Sequence, residues 1–538
     1  MKKDKAIKLK RDSGGSAAGV PRGESPPGTV GIDVPAGADA ALIGEALPRS
    51  GEIDPAVTAV GPPPGAGDHP EAHPHGREVP GMFDGPLRPL LARLAMPIFM
   101  GMLFNIFYTV VDTLFISAID RSDPAIIGGT GLIFPVVFIF MALANGIMIG
   151  VSSLVARAIG ERNREVLNRV ADSGIALALV LGVVTVVAGY LTADGLVRLM
   201  GAEGDFARYA LEYFRWILPG LGLMLSMHVL VGVLQGEGLV QHMMRAMIMG
   251  NLFNIVLDPF FILDRVWFIP GLGMGVAGAA LATIIGQALG FIYIIWVFAS
   301  KKTTVPVAWS AKHVRLGLIE KIIAVGVPQS LAQVLMSVTF LVLNRILIEI
   351  DPLTVTASSL CGRVDQIVLI PIFALSSALM TVIGQNIGRG LPHRAKEAWR
   401  TGAWMSLGAV GVAATVMVVL APVIYKAFTA DTEVLRYTVL QTRIVEYSFF
   451  FAALAIMSRS VFQANGRPWP ALIITGLRML GFALPFVALF VWVFDWGIFG
   501  VWGGMICGNF LGALLSVIWT EIYWKRLESG LADYVHAG

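Results

Sequence analysis

Residues 242–264 read HMMRAMIMGNLFNIVLDPFFILD, and between Arg245 and Asp264 the one ionisable side chain is Asp258. A helix rises 1.5 Å per residue, so about 20 apolar residues cross a hydrocarbon core. This stretch is long enough to do so. Its landmarks, Gly250 and Pro259, recur as Gly476 and Pro485 in the apolar run 469–494, at an offset of 226 residues.

Working outward, twelve segments qualify as spans: roughly 90–118, 125–157, 171–193, 206–236, 242–264, 271–299, 318–349, 354–388, 401–428, 433–464, 469–494 and 498–524. The offset holds across them. Arg215, Gln235 and Gly238 correspond to Arg443, Gln463 and Gly466 at 228, and Ile159-Gly160 corresponds to Ile387-Gly388 at the same distance. Gly275-Val276-Ala277-Gly278 matches Gly500-Val501-Trp502-Gly503 at 225, and Pro97 matches Pro328 at 231. A fixed period is the signature of duplication. With six spans per repeat, both halves cross the membrane in the same sense, as in transporters built of parallel repeats. The expected fold is all-α and polytopic, with twelve transmembrane helices in two parallel six-helix repeats around a central cavity.

Composition agrees. The chain is 56% hydrophobic and 14% charged, with a mean hydropathy of +0.72. Soluble domains carry about 25% charged residues. A net charge of +3 gives no support to a nucleic-acid partner. Cys361 and Cys507 both lie in apolar stretches and build no disulfide framework.

Residues 1–85 are rich in Gly, Pro, Ala and Ser and show no period, so they read as a disordered cytoplasmic tail. His69, His73 and His75 within it read as solvated rather than metal-ligating. The lobes are then 86–299 and 318–538, joined by a cytoplasmic linker at 300–317.

Basic residues set the orientation. Arg157, Arg162, Arg164 and Arg169 follow span two; Lys301, Lys302, Lys312, Arg315 and Lys321 follow span six; Arg389, Arg394, Lys396 and Arg400 follow span eight. The opposite connections carry Asp120, Asp123, Asp264, Glu349, Asp351 and Asp495. The positive-inside rule places both termini in the cytoplasm of a multi-pass protein of the cell membrane.

Ionisable side chains inside spans are functional candidates by default. Span one carries Asn105, Tyr108 and Asp112 on one helical face, and span five carries Asn251, Asn254 and Asp258 at the same spacing. Both aspartates fall at matched depth, roughly 9 Å from the acidic interface. If the two spans are neighbours, their carboxyl groups face one pocket. There, one keeps its proton or a cation such as Na⁺ sits between them. Thr283 and Gln287 in span six, one turn apart, can add oxygens.

In the second half Asn344 stands near the place of Asp112, and Leu484 replaces Asp258, so coupling chemistry is expected on one side only. Glu446 in span ten is the best second acid, while Arg363 and Asp365 are expected to pair locally or snorkel. Gln235 and Gln463 are expected at an inner gate. No P-loop and no HExxH motif occurs, so ATP-driven transport and zinc hydrolysis lack support.

These residues carry a family resemblance. From Pro86 onward the chain resembles the multidrug and toxic compound extrusion (MATE) family, through Pro97 with Tyr108-Thr-Val-Val-Asp112, through Gly250-Asn-Leu-Phe-Asn254-Ile-Val-Leu-Asp258-Pro259, and through Gly278-Ala-Ala-Leu-Ala-Thr283. The Asn254-x-x-x-Asp258 arrangement with Asp112 is similar to its DinF-like branch. The resemblance implies a cation site at Asp112, Asn254, Asp258 and Thr283, a hinge at Pro97 and a substrate near Tyr108. The long tail departs from the family pattern.

The expected function is export of amphipathic or cationic organic compounds by H⁺- or Na⁺-coupled antiport, by a monomer that is not an enzyme and uses no cofactor beyond the coupling ion. The alternative is a flippase for lipids or lipid-linked precursors from the same superfamily; sparse internal Arg and Lys argue against it.

Overall fold

In the computed structural model, the described residues are 79–537 apart from 118, 120–123, 267, 531 and 533. Most of the expected tail, with its three histidines, lies outside them.

Among the described residues, twelve helices are long and apolar enough to cross a membrane. The first six spans are Leu87–Ser117, Phe134–Gly160, Arg164–Leu199, Gly204–Glu237, Val240–Ile262 and Gly275–Ala299. The next three are Leu316–Ile350, Pro352–Gly388 and Pro392–Lys426. Span ten runs from Thr432 to Ala464 with a 3₁₀ turn at Glu446–Ser448. Span eleven begins at Pro468–Gly476 and carries two π-helical stretches, Leu477–Ala483 and Leu489–Val493. Span twelve is Gly497–Glu528.

Helix starts have local causes. Asn163 accepts from the Val166 amide at 3.1 Å, Asp351 from Leu353 at 2.9 Å with Pro352 following, and Asp431 from Glu433 at 2.8 Å. Two boundaries differ from the sequence reading. The run 125–157 is not one helix: a short helix, Pro124–Leu132, ends at Ile133, and Pro135 opens span two. Span nine starts at Pro392, nine residues earlier than expected, because its first turns are charged. A two-residue β-hairpin, Arg265–Val266 with Ile269–Pro270, joins spans five and six.

The halves meet from the basic end inward. Ser153 Oγ donates to Gln463 O, Thr381 Oγ1 to Gln235 O and Gln385 Nε2 to Gly236 O. Deeper, Ser330 Oγ donates to Ala142 O at 2.9 Å. Gln235 and Gln463, expected at an inner gate, both lie on this seam. Arg157, 1% exposed, passes between the halves and donates from Nη1 to Val535 O at 2.8 Å. Toward the other end one side of span one is open, with Leu103, Asn105, Phe107, Thr109, Val110 and Thr113 exposed.

Residues 300–315 are tied to the first half. Glu237 accepts from the Thr304 and Val305 amides at 2.8 and 2.9 Å. Asp172 accepts from the amides of Ala308 (3.3 Å) and Trp309 (2.9 Å), and Ser173 Oγ from that of Arg315 at 3.0 Å.

Candidate functional site

Spans five and six cross closely because glycines face each other. A Cβ on Gly250 would lie 2.8 Å from Gly286 O, and one on Gly286 would lie 2.5 Å from Gly250 O. Small residues of this kind let membrane helices approach to backbone contact. One turn along from the crossing, Asn254 reaches Thr283, with 3.2 Å between Nδ2 and Oγ1. Turned with its nitrogen toward Asp258, the Asn254 amide donates to Oδ2 at 2.9 Å, while its oxygen faces the Thr283 amide at 2.9 Å. Thr283 Oγ1 donates to Ala279 O at 3.0 Å.

Span one packs along span five and brings Asp112 to this cluster. The carboxyl groups of Asp112 and Asp258 sit side by side, within hydrogen-bonding reach. Asp258 is fully buried and Asn254 is 2% exposed. Tyr108 places its hydroxyl against Thr283 and beside Asp112. The structure thus gathers Asp112, Asn254, Asp258, Thr283 and Tyr108. Tyr213 of span four lies near enough to feel the charge of both aspartates. Sequence reasoning missed it, since an aromatic residue in an apolar span carries no periodic signal.

The remaining expected residues stand apart. Gln287 lies one turn beyond Thr283, its Oε1 buried without a protein partner and near Gly220. Asn105 is exposed. Pro97 lies inside an unbroken helix, a third of the way along span one.

Three buried polar atoms around the cluster lack protein partners: Asp112 Oδ1, Asn251 Nδ2 and Gln287 Oε1. Such orphans are rare in folded proteins and cost on the order of 1–3 kcal/mol each. Two adjacent carboxylates add repulsion in a low dielectric. A shared proton or a hard cation between the carboxylates satisfies Asp112 Oδ1 and removes their repulsion.

Glu446 is not part of this cluster. Its carboxyl lies against Asp365 of span eight, so the second half holds an acid pair of its own. This corrects two expectations: Asp365 packs with Glu446 rather than pairing with Arg363, and acid pairs are not confined to the first half. Tyr425 and Thr442 hydroxyls, 2.8 Å apart, and Cys361 lie beside it. The pair uses spans eight and ten, which are not the repeat mates of spans one and five, so offset comparison could not reveal it.

A duplicated helical bundle with carboxyl pairs buried at membrane depth is the build of a membrane transporter. The MatE family model matches residues 97–260 and again residues 328–489, and the chain belongs to this family, the MATE transporters. A Thermotoga maritima protein named "Probable multidrug resistance protein NorM" is 26% identical over 440 residues, covering 80% of this chain and 92% of its own. A protein of Shewanella oneidensis named "FAD transporter" is 25% identical over 422 residues, covering 76% of this chain and 89% of its own. A solved structure described as the outward-facing conformation of a multidrug resistance MATE family transporter of the MOP superfamily superposes with a TM-score of 0.78. It is 28% identical and covers 85% of this chain and 100% of that one. The two family matches begin at Pro97 and Pro328, the same pair that opens the repeat. The protein is a transporter rather than an enzyme, and relatives named for multidrug resistance support efflux of small molecules.

Proposed function

We propose that this protein is an antiporter that exports amphipathic organic compounds, driven by H⁺ or Na⁺ entering the site formed by Asp112, Asn254, Asp258 and Thr283. The observation that carries this reading is the meeting of two acids from different spans, one of them with a carboxyl oxygen that no protein group satisfies. Asp112 and Asp258 hold the ion. Asn254 positions Asp258, and Tyr108 and Gln287 lie where a change at the site reaches the substrate space.

Coupling requires the ion to bind one conformation better than the other. Span one is the moving part: it contributes Asp112, carries Pro97, where the missing N–H weakens the helix, and is exposed along much of one side toward the acidic end. The basic connections face the cytoplasm by the positive-inside rule. The seam described above is then the closed inner gate, and the structure is the outward-open state of a monomer with both termini inside. The Asn254-x-x-x-Asp258 arrangement supports placement in the DinF-like branch. Glu446 with Asp365 forms a second acid site in the other half. No cofactor beyond the coupling ion is needed.

Proteoliposomes loaded with ethidium, under separately imposed pH and sodium gradients, test this. Asp112→Asn and Asp258→Asn each lower gradient-driven efflux at least tenfold while the thermal melt stays within a few degrees of wild type. Undiminished efflux in both variants sinks the mechanism.

A further inference from the structure

Two arginines of the second half lie inside the bilayer region without an acidic partner. Arg459 of span ten is five residues from its basic end and Arg478 of span eleven is ten residues from its own, roughly 8 and 15 Å deep. They are near enough to repel one another. Arg478 is 8% exposed, and its Nη1 donates to Asn509 Oδ1 at 3.2 Å. Arg459 Nε is buried with no partner at all. Neither guanidinium is paired with a carboxylate among the described residues. Two unpaired cations of like sign at this depth cost several kcal/mol, so a structure that keeps them implies a missing anion.

Their placement is built rather than incidental. Arg478 lies in the π-helical stretch Leu477–Ala483, and such insertions re-aim side chains at functional sites. Its stem occupies the space over Gly512 of span twelve, where a Cβ would lie 2.5 Å from Arg478 Cγ. Arg459 is four residues before Gln463 and so on the same helical face. Gln463 meets Gln329 and accepts from Ser153 at the seam. Arg459 therefore sits one turn deeper than the contacts that close the seam. Asn509 donates in turn to Ser448, so a polar chain runs from Arg478 to within two residues of Glu446.

We propose that Arg459 and Arg478 form a subsite for an oxyanion, phosphate or carboxylate, carried by the transported molecule. The substrates are thus anionic or zwitterionic amphiphiles as well as, or instead of, simple cations. Planar guanidinium forks suit both oxyanions. The inference rests on the transport reading for its biological sense, but binding tests it without a gradient.

Fluorescence anisotropy of carboxyfluorescein and of ethidium is measured with purified full-length protein, wild type against Arg459→Gln, Arg478→Gln and the double variant. Carboxyfluorescein affinity should fall at least tenfold in each single variant, while ethidium binds equally or tighter. Arg459→Lys should recover part of the loss. Because neither arginine is salt-bridged, Arg459→Gln should melt at or above the wild-type temperature. Displacement of the dye by phosphatidylglycerol but not diacylglycerol assigns the oxyanion to a lipid headgroup, and displacement by a nucleoside monophosphate assigns it to a soluble solute; either supports the subsite. Unchanged carboxyfluorescein binding in the double variant, no binding by wild type, or equal loss of both dyes with a lowered melt overturns it. A protein that binds the anion through these arginines yet moves nothing in proteoliposomes would instead refute the transport reading and leave the subsite standing.

Discussion

Arg157 and Gly466 interlock across the two halves: a Cβ on Gly466 would lie 1.7 Å from Arg157 Nη1. Gly466 also holds a φ of +72°, which costs a residue with a Cβ roughly 1–2 kcal/mol. Gly466 ends span ten as Gly238 ends span four, so the repeat supplied a helix terminator that the interface then used as a socket.

Gly466→Ala should therefore do more than strain one turn. The methyl group displaces the guanidinium from Val535 O and costs a buried charge one of its hydrogen bonds, a loss of about 1.5–3 kcal/mol. The melting temperature should fall by several degrees. In the double variant Arg157→Ala/Gly466→Ala the loss should be smaller than the sum by at least about 1 kcal/mol, because the methyl then has room. Additive losses would show that the two residues do not act as a unit.

Asn254→Ala should weaken the ion site without abolishing it. The substitution removes the donor to Asp258 and the contact to Thr283, worth about 1–3 kcal/mol at a charged group. The external cation concentration giving half-maximal efflux should rise roughly tenfold, with a smaller change in maximal rate. A drop in maximal rate alone would assign Asn254 to gating instead.

Asp365→Asn discriminates between two environments for that acid. Beside Glu446, its removal relieves repulsion, and the melt should stay level or rise. Were it bonded to Arg363, the same change would break an ion pair and lower stability. Arg363 is exposed, and Arg363→Gln should be silent in the same measurement.

Much of this was legible in the sequence, for identifiable reasons. Span count follows from apolar length, and the duplication from landmarks such as Gly160/Gly388, whose backbones approach each other too closely for a side chain. Asp112 and Asp258 stood out because each lies on a polar stripe within a single helix. Tyr213, the Asp365–Glu446 pair and the Arg459–Arg478 pair were illegible because each joins side chains from different spans, and neighbourhood between spans is a tertiary property. The break at Ile133 was hidden by continuous apolarity, which a helix and a loop between two helices share inside a bilayer. The π-helical turns of span eleven have no compositional mark.

The docked linker has a mechanical consequence. Its amides are held by Glu237, Asp172 and Ser173 as far as Arg315, and the seventh span begins at Leu316. Almost no slack chain remains, so this junction behaves as a pin joint rather than a leash. It permits the bundles to swivel about a fixed point and resists their drawing apart or sliding.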